Sequence, residues 1–114
     1  IFDNIKDNFT IMKEEPFGPL VPILTFKDFD EVMKRANDND LGLCSYVYTT
    51  DLKKANEASE ILETGCVAVN TPAVAVAEAP FGGIKQTGYG REGGSMAIKD
   101  YLNIKYTHFG ISYE

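Results

Sequence analysis

Apolar residues between positions 21 and 69 follow two different spacings. Short, mostly apolar runs predict buried strands at residues 21–26, 43–49 and 66–69. Between these runs, positions three and four residues apart predict two amphipathic helices. Their inward faces are Phe29, Val32, Met33 and Ala36 in the first, and Leu52, Ala55, Ser59 and Leu62 in the second. Strands that alternate with helices in this way predict an α/β fold with parallel strands.

Polar residues and glycines predict where the two helices begin and end. Asp28 is placed to cap the first helix, with Glu31 three residues later as its capping-box partner. Thr50 is predicted to cap the second helix, with Asp51 in its first turn, where the helix dipole favours an acid. Gly65 is predicted to end that helix.

The last part of the chain returns to an alternating pattern. Residues 95–100 are predicted to form a short helical turn. From Tyr101 to Ile111 the residues alternate, with Leu102, Ile104 and Tyr106 on one side, which predicts a half-buried strand. Because a long loop precedes it, this strand need not join the first sheet.

Composition narrows the classes of function. The chain of 114 residues has room for one modest core. A formal net charge of −6 and a pI near 4.7 argue against nucleic acid and anionic membrane surfaces as partners. No apolar run approaches the roughly 20 residues that cross a bilayer. Two cysteines without a disulfide framework suit a reducing cytoplasm, which is the predicted location.

The stretch 79–94 is rich in glycine and predicts a loop held in turns. Residues 88–93 fit the pattern G-x-G-x-x-G, but neither a buried strand before nor a helix after is predicted, so a structural loop is favoured over a dinucleotide site. Lys85 and Arg91 are predicted to tie this loop down through ion pairs, with phosphate binding as the alternative. His108 is the only histidine, and no zinc site is predicted.

Two blocks of sequence resemble motifs of the aldehyde dehydrogenase superfamily. Residues 80–92 resemble its closing signature, and Glu-Glu-Pro-Phe-Gly-Pro at 14–19 resembles its Glu-Glu-x-Phe-Gly-Pro motif. The resemblance runs over nearly the whole chain and is closest to the succinate-semialdehyde dehydrogenase branch. It implies a C-terminal fragment of an enzyme that oxidises an aldehyde with NAD or NADP, and its closest branch makes succinate semialdehyde the narrower candidate substrate.

The same resemblance implies an architecture. Residues 1–94 would be the C-terminal part of the catalytic domain, a three-layer α/β fragment with a mostly parallel sheet. Residues 95–114 would be an oligomerisation segment whose strand pairs with a neighbouring subunit. The expected partners are therefore a small-molecule aldehyde and further copies of the chain, as a dimer or tetramer, with neither nucleic acid nor membrane.

Four residues are candidates for ligand contact. The Glu15 carboxylate lies in a proline-flanked loop and is able to accept hydrogen bonds from both hydroxyls of a ribose. On residue type alone, Glu15 and Phe17 would be a solvated acid and a core aromatic. The resemblance assigns them to the nicotinamide ribose and to packing near the nicotinamide. It assigns Phe81 and Ala75 to the substrate tunnel, although succinate-semialdehyde dehydrogenases carry a carboxylate-binding serine where this chain has Ala75.

Neither cysteine is predicted to be a catalytic residue. Aldehyde oxidation requires an activated thiolate, whereas Cys44 and Cys66 lie in strand-like runs typical of inert thiols. Neither has the Gly-Gln-x-Cys surroundings of the family nucleophile, and the Glu-Leu-Gly-Gly setting of its general base is absent. The chain alone is therefore predicted to be inactive. The alternative is a stand-alone, non-catalytic assembly domain, against which the intact 14–19 block argues.

Overall fold

The computed structural model describes residues 1–112 and contains two α-helices and four short strands in this range. In chain order the elements are α1 (Phe29–Asn37), β1 (Leu41–Gly42), β2 (Cys44–Val47), α2 (Leu52–Ile61), β3 (Cys66–Val69) and β4 (Ile84–Lys85). Two 3-10 turns, Thr10–Met12 and Ala97–Tyr101, precede and follow them. The second turn overlaps the helical turn predicted at residues 95–100.

Helix α1 begins as the sequence predicts. The Asp28 carboxylate accepts a hydrogen bond from the Glu31 amide at 2.9 Å. The Glu31 carboxylate in turn accepts one from the Lys27 amide at 2.9 Å, one residue before the cap. The first bond satisfies an amide that would otherwise lack a partner at the helix start, whereas the second differs from the predicted capping box, in which Glu31 would accept from the Asp28 amide. Arg35 ties the helix to the lead-in segment through a 2.8 Å ion pair with Asp7.

Helix α2 begins one residue later than predicted. Asp51, not Thr50, is the N-cap, and its carboxylate accepts hydrogen bonds from the amides of Lys53 and Lys54. A single oxygen of this carboxylate, Oδ1, reaches both amides, whereas the Thr50 hydroxyl accepts no hydrogen bond within residues 1–112. The helix ends at Ile61, before the predicted stop at Gly65.

Strands β2 and β3 form the parallel pair that the pattern predicts. Their register sets Cys44 opposite Cys66 and Val47 opposite Val69. Asn70 continues the pairing beyond β3, because its side-chain amide both accepts from and donates to the backbone of Thr49 at 2.9 Å. Helix α2 joins the two strands and contributes two buried alanines to a small core. The buried apolar residues are Ala55, Ala58, Leu62 and Ala68.

The strands do not form the single, mostly parallel sheet that was expected in a three-layer arrangement. Within residues 1–112 there are two two-stranded sheets, the parallel pair β2–β3 and the antiparallel pair β1–β4. The strand predicted at residues 21–26 is wrong. Only Phe2 lies beside it, through a single bridge at Pro22, whose nitrogen has no hydrogen to donate to a ladder.

The close packing of the two sheets depends on glycine at position 65. A Cβ atom built on Gly65 would lie 1.8 Å from the carbonyl oxygen of Gly82. The Gly65 amide also donates to the Gly42 carbonyl at 3.0 Å, which joins the end of β1 to the start of β3. Gly65 is therefore required by a close approach of two backbones, a role other than the predicted helix stop.

The C-terminal residues project from the rest of the chain. The half-buried strand predicted from Tyr101 to Ile111 is wrong within the described residues, where this range is exposed and pairs with no strand. A strand needs a partner edge, and residues 1–112 offer none to it. The projection makes the molecule 81 Å long, with a radius of gyration of 20.1 Å against about 13 Å for a compact chain of this length. Tyr113 and Glu114, at the end of the predicted oligomerisation segment, lie outside the described residues.

Candidate functional site

Residues 13–18 form an exposed loop that presents the acidic motif. The loop leaves the 3-10 turn Thr10–Met12, where the amides of Lys13 and Glu14 both donate to the Thr10 carbonyl at 2.9 Å. A tight turn follows, in which the Gly18 amide donates to the Pro16 carbonyl at 2.8 Å. Backbone bonds thus hold both ends of the loop, while its side chains extend outward.

Glu15 and Phe17 are both available to a ligand. Within residues 1–112 the Glu15 carboxylate has no hydrogen bond or ion pair, and its side chain is exposed. Phe17 is 95% exposed, which excludes the core position that its residue type alone favours. A free carboxylate and a free aromatic face, two residues apart on a braced loop, suit a ligand that combines hydroxyl groups with a flat ring.

Phe81 is held at the start of the glycine-rich loop. Its amide donates to the Glu92 carbonyl and its carbonyl accepts from the Glu92 amide, both at 2.7 Å. Phe81 is half-buried and lines an open cavity of about 640 Å³ together with Leu43, Thr87 and Tyr89. The two bonds join the backbone on both sides of the loop and so hold the main chain of Phe81 at the wall of this cavity.

Ala75 lies in an irregular, exposed segment before the glycine-rich loop. The two parts are joined through backbone, since the Gly94 amide donates to the Ala77 carbonyl at 2.8 Å. Gly93 has a φ of 67°, and a Cβ there would lie 2.6 Å from the Ala79 carbonyl oxygen. Both the left-handed backbone and the close approach require glycine at this position. The glycine-rich loop thereby fixes the segment that follows Ala75.

Lys85 and Arg91 brace the loop, as the sequence predicts for both, but only Lys85 does so through an ion pair. The Lys85 ammonium lies 2.7 Å from the Glu63 carboxylate and donates to the carbonyls of Asn37 and Asn39 at 3.0 Å. Arg91 instead donates to the carbonyls of Gly83 and Gly90 at 2.9 and 2.7 Å. The Lys85 ammonium is thus bound by three protein oxygens, whereas Arg91 uses only its Nη1 atom in these contacts.

Two residues, Leu43 and Thr87, connect the cavity beside the loop 13–18, which carries Glu15, with the cavity beside Phe81. Glu15 lines a second open cavity, of about 320 Å³, whose other walls include Pro16 and Cys44. Leu43 and Thr87 line both this cavity and the one at Phe81. The Thr87 hydroxyl accepts a hydrogen bond from the Gly42 amide at 2.7 Å, which fixes it between the two cavities. Ala75 and Phe17 line neither.

The reasoning from sequence missed the connecting role of Gly42 and Thr87. Gly42 is buried, and a Cβ there would lie 2.8 Å from the Glu63 carbonyl oxygen. The available signal was a glycine next to a predicted strand, which often marks a close backbone approach. Gly42 and Thr87 are 45 positions apart in the sequence, so no local signal predicts their hydrogen bond.

The described residues contain neither a membrane-spanning helix nor a cluster of metal-binding side chains. No helix among residues 1–112 is long and apolar enough to cross a membrane. In the same range, no group of three or more histidine, cysteine or acidic side chains is placed to hold a metal ion. His108 lies on the exposed C-terminal segment, where its Nδ1 atom is 3.3 Å from the hydroxyl of Tyr106.

Comparison with known proteins identifies a family. The sequence profile described as "Aldehyde dehydrogenase family" matches residues 1–107. The succinate-semialdehyde dehydrogenase [NADP(+)] of Escherichia coli K12 is 45% identical over 111 residues, covering 97% of this chain and 23% of that protein. Retinaldehyde dehydrogenase 3 of Rattus norvegicus is 48% identical over 105 residues, covering 92% and 20%.

A solved structure agrees with these relatives. The NAD+ complex of an aldehyde dehydrogenase from Bacillus cereus superposes with a TM-score of 0.87 at 42% identity, covering 90% of this chain and 21% of that one. The chain thus spans about a fifth to a quarter of the length of the relatives it matches. The profile match over residues 1–107 covers nearly the whole sequence. The chain belongs to the aldehyde dehydrogenase family.

Proposed function

We propose that the chain is a working part of an NAD- or NADP-dependent aldehyde dehydrogenase, the full-length form of which is called the parent enzyme below. The parent enzyme would oxidise an aldehyde to the carboxylic acid, with hydride transferred to the nicotinamide. In this proposal Glu15 and Phe17 contribute one wall of the cofactor site, and Ala75 and Phe81 contribute one wall of the substrate tunnel. The chain by itself would be inactive, because the groups that perform the chemistry act as a unit.

The single observation that carries the proposal is the free, outward-facing Glu15–Phe17 pair on a loop held by backbone bonds. A carboxylate on such a loop is able to accept both vicinal hydroxyls of a ribose in charge-assisted hydrogen bonds. An exposed aromatic face two residues later offers packing to the attached nicotinamide ring. A purely structural loop gains little from a large aromatic side chain in water, whereas a ligand-binding loop does.

The cofactor and substrate assignments rest on two further lines of support. The relatives of similar identity include an NADP(+) enzyme, and a similar solved structure is an NAD+ complex, so either nucleotide is consistent with this chain. Two of the relatives are named for their substrates. The succinate-semialdehyde dehydrogenase is 45% identical to this chain, and the retinaldehyde dehydrogenase is 48% identical. An aldehyde substrate is therefore proposed as a class, with succinate semialdehyde as the narrower candidate.

Replacement of Glu15 by glutamine in the parent enzyme tests the cofactor role. Loss of the charged acceptor loosens the nicotinamide ribose, and poor orientation lowers the rate of hydride transfer. One charge-assisted hydrogen bond contributes about 1.5–3 kcal/mol, so kcat should fall by about tenfold or more. The measurement is aldehyde-dependent NAD(P)H formation under saturating cofactor.

Glu14→Gln is the matched control, because it makes the same chemical change on the neighbouring exposed residue. We expect Glu14→Gln to leave kcat within about twofold, since an exposed side chain away from a ligand contributes little. Thermal unfolding of both variants should match the parent enzyme. Equal kinetics for Glu15→Gln and Glu14→Gln would remove Glu15 from the cofactor site.

Replacement of Ala75 by serine tests the narrower substrate. A semialdehyde with a terminal carboxylate requires hydrogen-bond donors in the tunnel, because an unpaired buried carboxylate is costly. Alanine offers no side-chain donor, whereas serine does. We expect Ala75→Ser to raise kcat/KM for succinate semialdehyde relative to an uncharged aldehyde of similar length by up to about tenfold, from a hydrogen bond of about 1.5–3 kcal/mol. An unchanged ratio would show that the side chain at position 75 packs in the tunnel and does not bind the substrate carboxylate.

The parent enzyme is also proposed to be a homo-oligomer, a dimer or tetramer, that assembles through the C-terminal segment. Residues 103–112 extend away from the rest of the chain with unpaired backbone and exposed apolar side chains. Ile104 is 95% exposed and Tyr106 is 85% exposed. An exposed edge with apolar side chains is suited to pairing with a strand of another subunit.

A further inference from the structure

The two cysteines of the chain are direct neighbours across the parallel strand pair. Cys44 begins β2 and Cys66 begins β3, and they are partners in the register. Strands in a sheet lie about 4.7–4.9 Å apart. That spacing falls within the range of about 4.4–6.8 Å between Cα atoms that a disulfide can bridge. In a parallel pair, residues in register point to the same face, so both thiols lie on one side of the sheet.

Both thiols are free, half-buried and close to one another. Burial raises the pKa of the Cys44 thiol, and a charge or hydrogen bond at Cys66 raises it further. Cys44 also lines the open 320 Å³ cavity below the Glu14–Pro16 loop, which gives a small reagent access to it. The Cys66 sulfur lies 4.0 Å from the Gly82 carbonyl oxygen, at the edge of the glycine-rich loop.

We propose that Cys44 and Cys66 form a modification site, a cross-strand dithiol that low-molecular-weight disulfides oxidise to an intramolecular disulfide. This goes beyond the proposed dehydrogenase function and does not depend on it. The site differs from a single reactive cysteine because the second thiol is held in place by the β2–β3 ladder. The first modified sulfur therefore meets its resolving thiol at the spacing that the ladder sets.

The reaction is two thiol–disulfide exchanges. The thiolate of one cysteine attacks a sulfur of the reagent, which breaks the reagent's S–S bond, forms a mixed disulfide and releases one reagent thiol. The second cysteine, as thiolate, attacks the protein sulfur of that mixed disulfide and releases the other reagent thiol. The protons lost by Cys44 and Cys66 reach the two released thiols. The protein loses two hydrogen atoms and gains one S–S bond, and the reagent is reduced.

The strand geometry predicts that the bridge is easily reduced. The spacing of neighbouring strands lies near the short end of the Cα range for disulfides, where the preferred value is about 5.5–6 Å. The ladder resists the adjustment that would relax the bridge, and strained disulfides are the labile ones. We therefore expect a dithiol reductant to restore both thiols while the protein remains folded.

Peptide mapping with glutathione disulfide as the probe tests the proposal. The longest available form of the protein is incubated with the probe under native conditions, quenched by acid and digested with trypsin. Trypsin places Cys44 in the peptide 36–53 and Cys66 in the peptide 55–85, one cysteine in each. We expect these two peptides to appear joined, with two hydrogen atoms fewer than their sum, and to separate after reduction.

Two single variants and a denatured sample complete the test. Cys44→Ser and Cys66→Ser should each lose the joined peptides and retain a glutathione adduct on the remaining cysteine. Pre-treatment with urea should decrease the joined fraction in the wild-type protein, because unfolding removes the register. Separate glutathione adducts on both wild-type cysteines, or no reaction under native conditions, would overturn the proposal. A joined fraction that is the same in urea would show that the strands do not direct the pairing.

Discussion

The chain contains two regions that differ in what supports them: the core unit β2–α2–β3, residues 44–69, and the tail, residues 102–112. The core unit closes on itself, since its parallel strands pair with each other and both its helix and strand β3 contain buried alanines. The tail has alternating apolar residues as pronounced as those of a strand, yet it is exposed along its length. An apolar pattern typical of strands is thus paired into a sheet in the core unit and remains unpaired in the tail.

The difference shows that alternating apolar residues define which side of a segment is apolar, but that a strand forms only where another segment pairs with it. In the core unit, strands β2 and β3 are close in the sequence and pair with each other, and this pairing stabilises both. For the tail, residues 1–112 provide no such surface. We expect Gly65→Ala, Lys85→Met and Asp51→Ala to destabilise the folded part of the chain, in that order of decreasing effect. In the tail we expect an effect on assembly instead.

Gly65→Ala should have the largest effect on stability. The added Cβ would lie 1.8 Å from the Gly82 carbonyl oxygen, an approach that forces two backbone segments apart. Overpacking of this kind costs about 1–3 kcal/mol and sometimes more, and a contact with backbone has no side chain that is able to move away. We expect a loss at or above about 3 kcal/mol in the free energy of unfolding, measured by urea denaturation of the parent enzyme.

Gly110→Ala is the matched change in the tail. No atom lies within 4 Å of the position that its Cβ would occupy. We expect a change below about 0.5 kcal/mol, as for most exposed sites. If both variants lost similar stability, the contrast between a closed core unit and an open tail would be wrong.

Local signals account for most of the fold that the sequence predicts correctly. The Asp28 cap, both helices and strand β3 each depend on residues within a few positions of one another. The Thr50 prediction failed because two adjacent residues compete for one cap, and propensity alone does not decide between them. The strand at 21–26 and the tail failed because a strand is completed by a partner, and the sequence of the strand does not contain it.

The candidate site was predictable in a different way. Glu15, Phe17, Ala75 and Phe81 were selected through resemblance, and the structure shows only where they lie and how their loops are held. The hydrogen bond from Gly42 to Thr87 and the pairing of Cys44 with Cys66 are fixed by strand register, which depends on all of the contacts between distant segments. No spacing within the sequence encodes these pairs.

Lys85→Met should have the second largest effect. Its ammonium joins β4 to the last residues of α1 and to the end of α2 through Glu63 and two carbonyls. The side chain is one-quarter exposed, which weakens each contact, so we expect a loss of about 1–2 kcal/mol in the free energy of unfolding. Lys105→Met, in the tail, is the control and should change the free energy of unfolding by less than about 0.5 kcal/mol. Equal melting temperatures for the two variants would contradict a bracing role for Lys85.

Asp51→Ala should destabilise the core unit more mildly. The Asp51 carboxylate accepts hydrogen bonds from two amides at the start of α2. Loss of an N-cap of this type costs about 1 kcal/mol, within a range of about 0.5–2. Thr50→Ala removes the hydroxyl that the sequence had suggested as the cap, and it should cost less than Asp51→Ala. The reverse order in thermal unfolding would restore Thr50 as the cap.

Ile104→Asp should have the smallest effect on folding and a clear effect on assembly. Ile104 is 95% exposed, so the replacement buries no charge within the chain and should change its unfolding by less than about 0.5 kcal/mol. If the tail pairs with another subunit, the same charge enters an apolar interface, where an unpaired carboxylate is strongly disfavoured. Sedimentation of the parent enzyme should then show weakened oligomers for Ile104→Asp, but intact ones for Lys105→Gln, on the polar side of the same segment. Oligomers unaffected by Ile104→Asp, and equally by truncation after Asp100, would show that assembly uses a surface other than the tail.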